Sequence, residues 1–290
     1  MSQWREFCPA KLNLYLAVTG RRPDGYHDLV SLVVKLDIGD TLEASARAWG
    51  ADSLACDDAE LPTGPDNLVL KAAAAYRRKV TEAPFMDWTL SKHLPCGAGL
   101  GGGSSDAAAA LRIMNAACCN ALGAEDMLAV ASEAGSDCPL FLFDGPCLMR
   151  GRGELLEALP QAAAAALRGR GVVVLKPHFG IPTGWAYSAL AGAGSCIPGQ
   201  EAEAELAAWL AAPEGPPPMR NSFQDVVFRK YPCYDVLNAA LVGAGLPAMR
   251  LTGSGSACHA FAQGDAAERM LAVGRDCLGE GSFCAAAMIV

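Results

Sequence analysis

The sequence predicts an α+β fold, and three observations carry that prediction. Strand-like and helix-like segments succeed one another without the regular alternation that a doubly wound sheet requires. Residues Ala10 to Val18 place Leu12, Leu14, Leu16 and Val18 in alternation with Lys11, Asn13, Tyr15 and Ala17, the period of a strand with one buried face. Residues 95–106, Pro-Cys-Gly-Ala-Gly-Leu-Gly-Gly-Gly-Ser-Ser-Asp, put five glycines into seven positions and then run into an alanine-rich helix.

Composition limits the function classes. The 290-residue chain is 52% hydrophobic and only 19% charged, enough for two modest domains around a sizeable core. Its net charge of -8 and the lack of any basic run exclude a nucleic-acid scaffold that works by neutralising phosphates. No apolar signal core opens the chain and no stretch reaches the ~18 uncharged apolar residues of a membrane span, so a cytoplasmic protein is expected. The 12 cysteines form no C-x-x-C pair and the four histidines are scattered, so the thiols read as small buried hydrophobes and no metal ligand is assigned.

The elements follow in order. After the Ala10–Val18 strand, Gly20-Arg21-Arg22-Pro23-Asp24-Gly25-Tyr26-His27 contains a tight-turn signal that presents an aromatic beside an imidazole. Strands Ser31–Ile38 and Asp40–Ala46 read as a hairpin through Gly39. Asp66 or Asn67 caps a helix through Lys79, and Asp87–His93 is a short strand feeding the glycine loop. Helices follow at Ser105–Cys119 and Ala124–Ala134, then Gly135-Ser136-Asp137 before the apolar run Leu140–Phe143. Asp137 is either a turn cap or a placed carboxylate. Val172–Lys176 is a buried strand, Ile181–Leu190 carries Thr183, Trp185 and Tyr187, and residues 191–218 are Ala/Gly/Pro/Glu-rich with a helix near Glu201–Leu210 and a surface loop from 211 to 218. Helices Asn221–Tyr231, capped by Asn221, and Tyr234–Gly243 precede a strand, glycine turn and strand over 249–262. Helix Gly264–Leu278 and strand Ser282–Val290 close the chain.

Two of these segments carry chemistry when read from the residues alone. Glycines at 97, 99, 101, 102 and 103 let backbone N–H groups approach an anion, and the helix that follows adds unpaired donors and the positive end of its dipole. Ser104 or Ser105 is expected to cap that helix, which leaves the other hydroxyl for a phosphate oxygen or a metal ion. The loop lacks the lysine of G-x-x-x-x-G-K-[ST], and although Gly97, Gly99 and Gly102 satisfy G-x-G-x-x-G, no strand-ending acid follows at dinucleotide spacing. Lys11 and Asn13 point the same way about 7 Å apart along their strand. They are either a solvated face or a pair that addresses a polar ligand.

Taken in order, Pro9-Ala10-Lys11-Leu12-Asn13-Leu14, Gly20 to His27, Leu94 to Asp106, Gly135-Ser136-Asp137 and Thr252-Gly253-Ser254-Gly255-Ser256 resemble the GHMP small-molecule kinases over Pro9 to about Ala262. The glycine loop and the Thr-Gly-Ser-Gly-Ser turn belong to that superfamily at large. The Arg-Arg-Pro-Asp-Gly-Tyr-His block is more specific and resembles the branch whose acceptor is cytidine diphosphate methylerythritol.

The resemblance implies a two-domain fold: an ATP-binding domain over 1–155 like the second domain of ribosomal protein S5, and a ferredoxin-like substrate domain over 156–290 whose last strand is able to return to the first. It implies ATP with Mg²⁺, a small-molecule acceptor, no nucleic-acid or membrane partner, and a monomer or homodimer. Asp137 takes the role of proton acceptor and Lys11 that of the cation beside it. The loop Pro95, Cys96, Gly97, Ala98, Gly99, Leu100, Gly101, Gly102, Gly103, Ser104 and Ser105 wraps the phosphates, with Asn67, Lys92 and Asp106 near adenine and ribose. Tyr26 and Tyr187 sandwich the cytosine, His27 meets its edge, and Asn13 and Thr183 hold the rest of the acceptor. For Tyr187 a core aromatic on a helix is an equal reading. Cys138 after the proposed base and the 191–218 segment match nothing specific.

Overall fold

The computed structural model describes residues 3–47 and 49–290. Its elements in chain order are strands β1 (Gln3–Arg21), β2 (His27–Arg47) and β3 (Ser53–Cys56), helix α1 (Leu68–Lys79), β4 (Phe85–Ser91), helices α2 (Gly102–Ala117), α3 (Ala124–Ala134) and α4 (Cys138–Leu142), and strands β5 (Cys147–Gly151) and β6 (Leu155–Ala158). There follow α5 (Gln161–Leu167), β7 (Gly171–Lys176), α6 (Thr183–Ala193), α7 (Gly199–Ala211), α8 (Gln224–Lys230), α9 (Cys233–Gly243), β8 (Arg250–Leu251), β9 (Cys258–Phe261), α10 (Asp265–Leu278) and β10 (Phe283–Met288). The mixed, unevenly ordered strands and helices are the α+β architecture expected. No helix among the described residues is long and apolar enough to cross a membrane.

Contacts divide the chain into two compact units, neither contiguous in sequence. The first holds Met1–Ala10, Ile38–Leu94 and Gly101–Asp144, and the second Lys11–Asp37, Pro95–Leu100 and Gly145–Val290. The boundary expected between residues 155 and 156 lies inside β6.

In the first unit the end of β2 pairs antiparallel with β4, from Thr41 opposite Ser91 to Arg47 opposite Phe85, and β3 lies parallel to β4. Helices α1, α2 and α3 pack on one another over a core that includes Trp88, Met86, Leu90, Tyr76, Leu111 and Met114. The run Ala107–Ala110 is fully buried, because alanines let α2 approach closely without cavities. Asn67 caps α1 through its side-chain Oδ1, which accepts from Val69 N at 2.9 Å.

In the second unit the start of β2 pairs antiparallel with β5, which pairs with β6. A separate antiparallel sheet runs β10-β7-β9-β8. Strand β7, buried at every residue, is one of its two central strands, which explains its Gly-Val-Val-Val-Leu-Lys sequence. The last strand pairs with β7, and beyond it Ile289 bridges Leu36.

Three expectations are corrected. β2 is one unbroken strand, not a hairpin: Gly39 is there because a Cβ would lie 2.2 Å from the Cys8 carbonyl oxygen, so the glycine answers a close backbone approach rather than a turn. β1 is buried on both faces from Ala10 to Val18. It pairs with β2, and it also takes hydrogen bonds from Asn13 N to Thr252 Oγ1, from Ser222 N to Leu16 O, from Leu16 N to Arg220 O and from Ile197 N to Val18 O. Asn221 does not head its helix directly. Its Oδ1 accepts from Phe223 N and its Nδ2 donates to the Leu251 and Gly253 carbonyls, so it ties the approach of α8 to the turn after β8. The segments β5, β6 and α5 carry no strong sequence signal, being short and broken by glycine or proline.

His259 on β9 is completely buried, and burial pulls its pKa down from 6.5 to about 4. The folded state therefore holds the neutral ring, and the unfolded chain binds the extra proton between those values. Stability is intact above pH 6.5 and falls by about 3 kcal/mol as pH drops towards 4, at about 1.4 kcal/mol per unit. Urea midpoints taken from pH 7 to pH 4.5 should fall less steeply for His259→Leu than for the parent, and equal slopes would dismiss this residue as a cause.

Candidate active site

Two glycine turns meet in the second unit. Gly99 has φ +78°, and a Cβ there would stand 2.7 Å from the Thr252 carbonyl oxygen and 3.1 Å from that of Gly255. The contact is sealed by backbone hydrogen bonds: Ala257 N donates to Ala98 O at 3.0 Å, and Lys11 N donates to Leu100 O at 2.9 Å. On the other side Gly97 faces Gly180, and Ser256 Oγ donates to Phe179 O at 2.6 Å. The loop 95–100 is thus held between β1 and the Thr252–Ser256 turn, with its positive-φ glycines in place.

Lys11 and Asn13 lie against this assembly. Lys11 is 5% exposed and Asn13 2%, so they are no solvated face. Lys11 Nζ donates to Asn13 Oδ1 at 2.6 Å, Asn13 Nδ2 donates to Ser31 Oγ at 2.8 Å, and Ser31 Oγ donates to Tyr15 O. This chain orients the asparagine and aims the ammonium; a Cβ on Gly253 would lie 3.5 Å from Nζ. Thr183 joins the same turn, with its Oγ1 3.1 Å from Ser254 Oγ.

The second unit also contains the aromatic residues. Arg22 pairs with Asp24 and Asp28, and Tyr26 N donates to Asp24 Oδ1, which folds the Arg-Pro-Asp-Gly-Tyr turn. His27 and Tyr187 stack with centroids 4.8 Å apart and planes 29° from parallel, and Tyr187 meets the edge of Phe223. Tyr26 is 59% exposed and carries the Arg152 guanidinium 5.0 Å over its ring. The structure brings His27 and Tyr187 together directly. Arg152 was not singled out by sequence, because Arg-Gly-Arg-Gly-Glu reads as an ordinary hairpin turn.

The first unit supplies the helix end of the loop. Its N-cap is Gly101 at φ +75°, and helix α2 begins at Gly102, so neither serine caps it. A left-handed cap is open to glycine and closed to a β-hydroxyl residue at little cost, which moves the helix start three residues earlier than expected. Ser104 and Ser105 fall in the first turn, and the buried Ser105 Oγ has no hydrogen-bond partner among the described residues.

Asp137 precedes α4 in the cap position, yet its side chain makes no capping bond. The residue is half-buried. Cys138 beside it is buried, and burial raises its thiol's pKa to about 12. That thiol is inert at neutral pH.

Of the residues expected near adenine, Asn67 spends its amide on capping α1 and on donating to Pro62 O. Lys92 and Asp106 form a buried ion cluster with Asp40, in which Lys92 Nζ binds Asp40 Oδ2 and stands 2.9 Å from Asp106 Oδ2. Burial pushes the Asp106 pKa up to about 6, with Asp40 adding to the rise and Lys92 opposing it. Burial pulls the Lys92 pKa down, but the two carboxylates outweigh it and the net shift is upward. Asp40 was invisible in sequence because its partners, Lys92, His93 and Leu94, are 52, 53 and 54 residues away.

The family model for the GHMP kinases N terminal domain matches residues 67–145. The 4-diphosphocytidyl-2-C-methyl-D-erythritol kinase of Synechococcus sp. (strain CC9311) is 37% identical, over 96% of this chain and 93% of its own length. The chain belongs to the GHMP kinases. The enzyme of the same name from Solidesulfovibrio magneticus is 39% identical over 86% of the chain and 85% of its own length. A crystal structure of 4-(cytidine 5'-diphospho)-2C-methyl-D-erythritol kinase superposes with TM-score 0.78 at 31% identity, over 98% of this chain and 99% of that one. Homoserine kinase from Cytophaga hutchinsonii shares the fold, at TM-score 0.75 and 17% identity. As a GHMP kinase the chain is a small-molecule kinase that uses ATP.

The packing of the loop yields a graded test. Gly99→Ala must carry both a left-handed backbone and a Cβ against two carbonyls, and should cost about 2–4 kcal/mol. Gly97→Ala, whose Cβ would meet nothing closer than 4.0 Å, should cost only about 1 kcal/mol. Denaturant midpoints measure both, and equal losses would mean that the Gly99 contact contributes nothing.

Proposed function

We propose that the chain transfers the γ-phosphoryl group of ATP to the 2-hydroxyl of 4-diphosphocytidyl-2-C-methyl-D-erythritol, giving the 2-phosphate and ADP in the methylerythritol phosphate route to isoprenoids. The observation that carries this reading is the company the glycine loop keeps. One unit holds the loop against Lys11 and Asn13 and also contains the Tyr26-His27 turn with Tyr187 on His27. Aromatic faces beside an imidazole suit a cytosine ring, which offers a π face and a donor/acceptor edge. A kinase for a small aliphatic alcohol has no use for them.

Phosphoryl transfer asks the protein for position and charge rather than covalent chemistry. In this reading Asp137 accepts the proton of the 2-hydroxyl. A carboxylate is a weak base towards an alcohol, so a cation that favours the alkoxide is required. Lys11 supplies that charge from a buried, hydrogen-bonded position where its field is little screened. Asn13 and Thr183 hold the acceptor's hydroxyls and diphosphate, Tyr26 and Tyr187 flank the base, and His27 addresses its edge. A base entering between those rings has to part the His27–Tyr187 stack.

Residues 95–105 carry the ATP phosphates through backbone N–H groups. Asn67, Lys92 and Asp106 stand on the nucleotide side of this reading, although their polar atoms already bind the protein itself. Mg²⁺ is the metal that ATP brings. The buried, unpartnered Ser105 hydroxyl is a hard oxygen of the kind such an ion takes, and the metal would neutralise phosphate charge there. We assign ATP binding to the segment 1–155, acceptor binding to 156–290 together with the β1 and Tyr26-His27 contributions, and the cytoplasm as the site of action, as monomer or homodimer.

Asp137→Asn should lower kcat by about 10²–10⁴ while ATP still binds. The check is ADP release with the cytidyl diphosphate acceptor beside nucleotide titration of the same protein. Wild-type turnover in that variant would remove Asp137 from the mechanism, and phosphorylation of mevalonate or homoserine in place of the cytidyl compound would overturn the assigned acceptor.

A further inference from the structure

The loop that carries the phosphates is bracketed by two residues of the first unit, Leu94 before it and Gly101 after it, and both ends converge on one buried carboxylate. Asp40 is fully buried. Its Oδ1 accepts from His93 N at 2.6 Å and from Leu94 N at 2.8 Å, which fixes the last two residues before the loop. Its Oδ2 binds Lys92 Nζ, and Lys92 Nζ reaches Asp106 Oδ2 on the first turns of α2, which fixes the helix after the loop. Gly102, the first residue of that helix, sits directly over the pair: a Cβ there would lie 3.2 Å from Asp40 Oδ2 and 3.3 Å from Lys92 Nζ.

We propose that Asp40 is a positioning residue for ATP: through His93, Leu94, Lys92 and Asp106 it sets the separation of the two ends of the phosphate loop, and so the aim of the loop's N–H groups, without touching the nucleotide. The cluster costs too much to be idle. Two carboxylates and one ammonium in a dry site carry a residual negative charge close to where a polyphosphate is read to bind, and a pair of apolar residues of similar volume would hold the same core at lower cost. What an apolar pair cannot do is accept two adjacent backbone N–H groups and grip a helix turn in the same stroke. Lys92 and Asp106 thereby become parts of a brace, and their burial is its requirement. The nucleotide in this inference is that of the proposed function.

The experiment compares Asp40→Ala, Asp40→Asn and Asp106→Asn with the parent, using steady-state kinetics for both substrates and hydrogen exchange of the peptide spanning residues 93–103. Asp40→Ala should raise KM for ATP at least tenfold with KM for the acceptor within twofold, and loop amides should exchange at least tenfold faster. Asp40→Asn keeps an acceptor for the two N–H groups and should recover part of the loss, to about a threefold effect. Asp106→Asn leaves Lys92 and Asp40 as a one-to-one pair, so it folds even where Asp40→Ala does not, and should give a threefold or larger rise in KM for ATP alone. Equal changes in both KM values, or unchanged loop exchange in a folded variant, overturn the proposal. If the parent protein itself shows no ATP-dependent turnover, the proposed function fails, and the exchange measurement still decides whether Asp40 holds the loop.

Discussion

The contact on which this part of the second unit depends is backbone against backbone. The loop Ala98–Leu100 lies on the Thr252–Ala257 turn at a distance that no Cβ at residue 99 allows, and main-chain hydrogen bonds from Ala257 and Lys11 close it on two sides. Because the loop is bonded to β1 at Lys11 and to the turn at Ala257, the lysine ammonium, the Thr252 hydroxyl that receives Asn13 N and the Thr183–Ser254 pair are all referenced to one surface. Side-chain contacts tolerate errors of several tenths of an ångström; a glycine–carbonyl contact does not. Position is thus set by the least adjustable part of the chain.

Charge is handled in two different ways. In the second unit Lys11 is buried and donates to a neutral group, the Asn13 side-chain amide oxygen. In the first unit Lys92 is buried with two carboxylates, so its charge is spent within the protein. A single sequence feature, a lysine near a glycine-rich segment, therefore stands in different company at positions 11 and 92, a side-chain amide at one and two carboxylates at the other.

Local signals were legible where chemistry is local. The bounds of α1 and α3 follow from caps and breakers next to them, Asn67 before one and Gly123 and Gly135 around the other, and the two glycine turns were visible as composition. The family motifs gave the order of the candidate site. What could not be read was set by distant partners. Gly39 looks like a hairpin because nothing in its neighbours betrays Cys8, and the polar face of β1 looks solvated because the segments that cover it arrive some two hundred residues later. Ser104 and Ser105 looked like caps because their type is right; the left-handed Gly101 pre-empted them. Asp40 carries no motif at all.

The division of the chain has a consequence for how the protein is made. It passes between the two units at five points, after residues 10, 37, 94, 100 and 144. The first unit has all its residues once position 144 has been synthesised, but Asn13 must wait for Thr252, 239 residues further on. At ribosomal speeds of about 5–20 residues per second that is a delay of roughly ten to fifty seconds. Through it the apolar segment Leu12–Val18 has β2 beside it but not its distant neighbours, as a nascent strand with one edge open. The unit that carries Lys11 is thus begun at the eleventh residue and completed last.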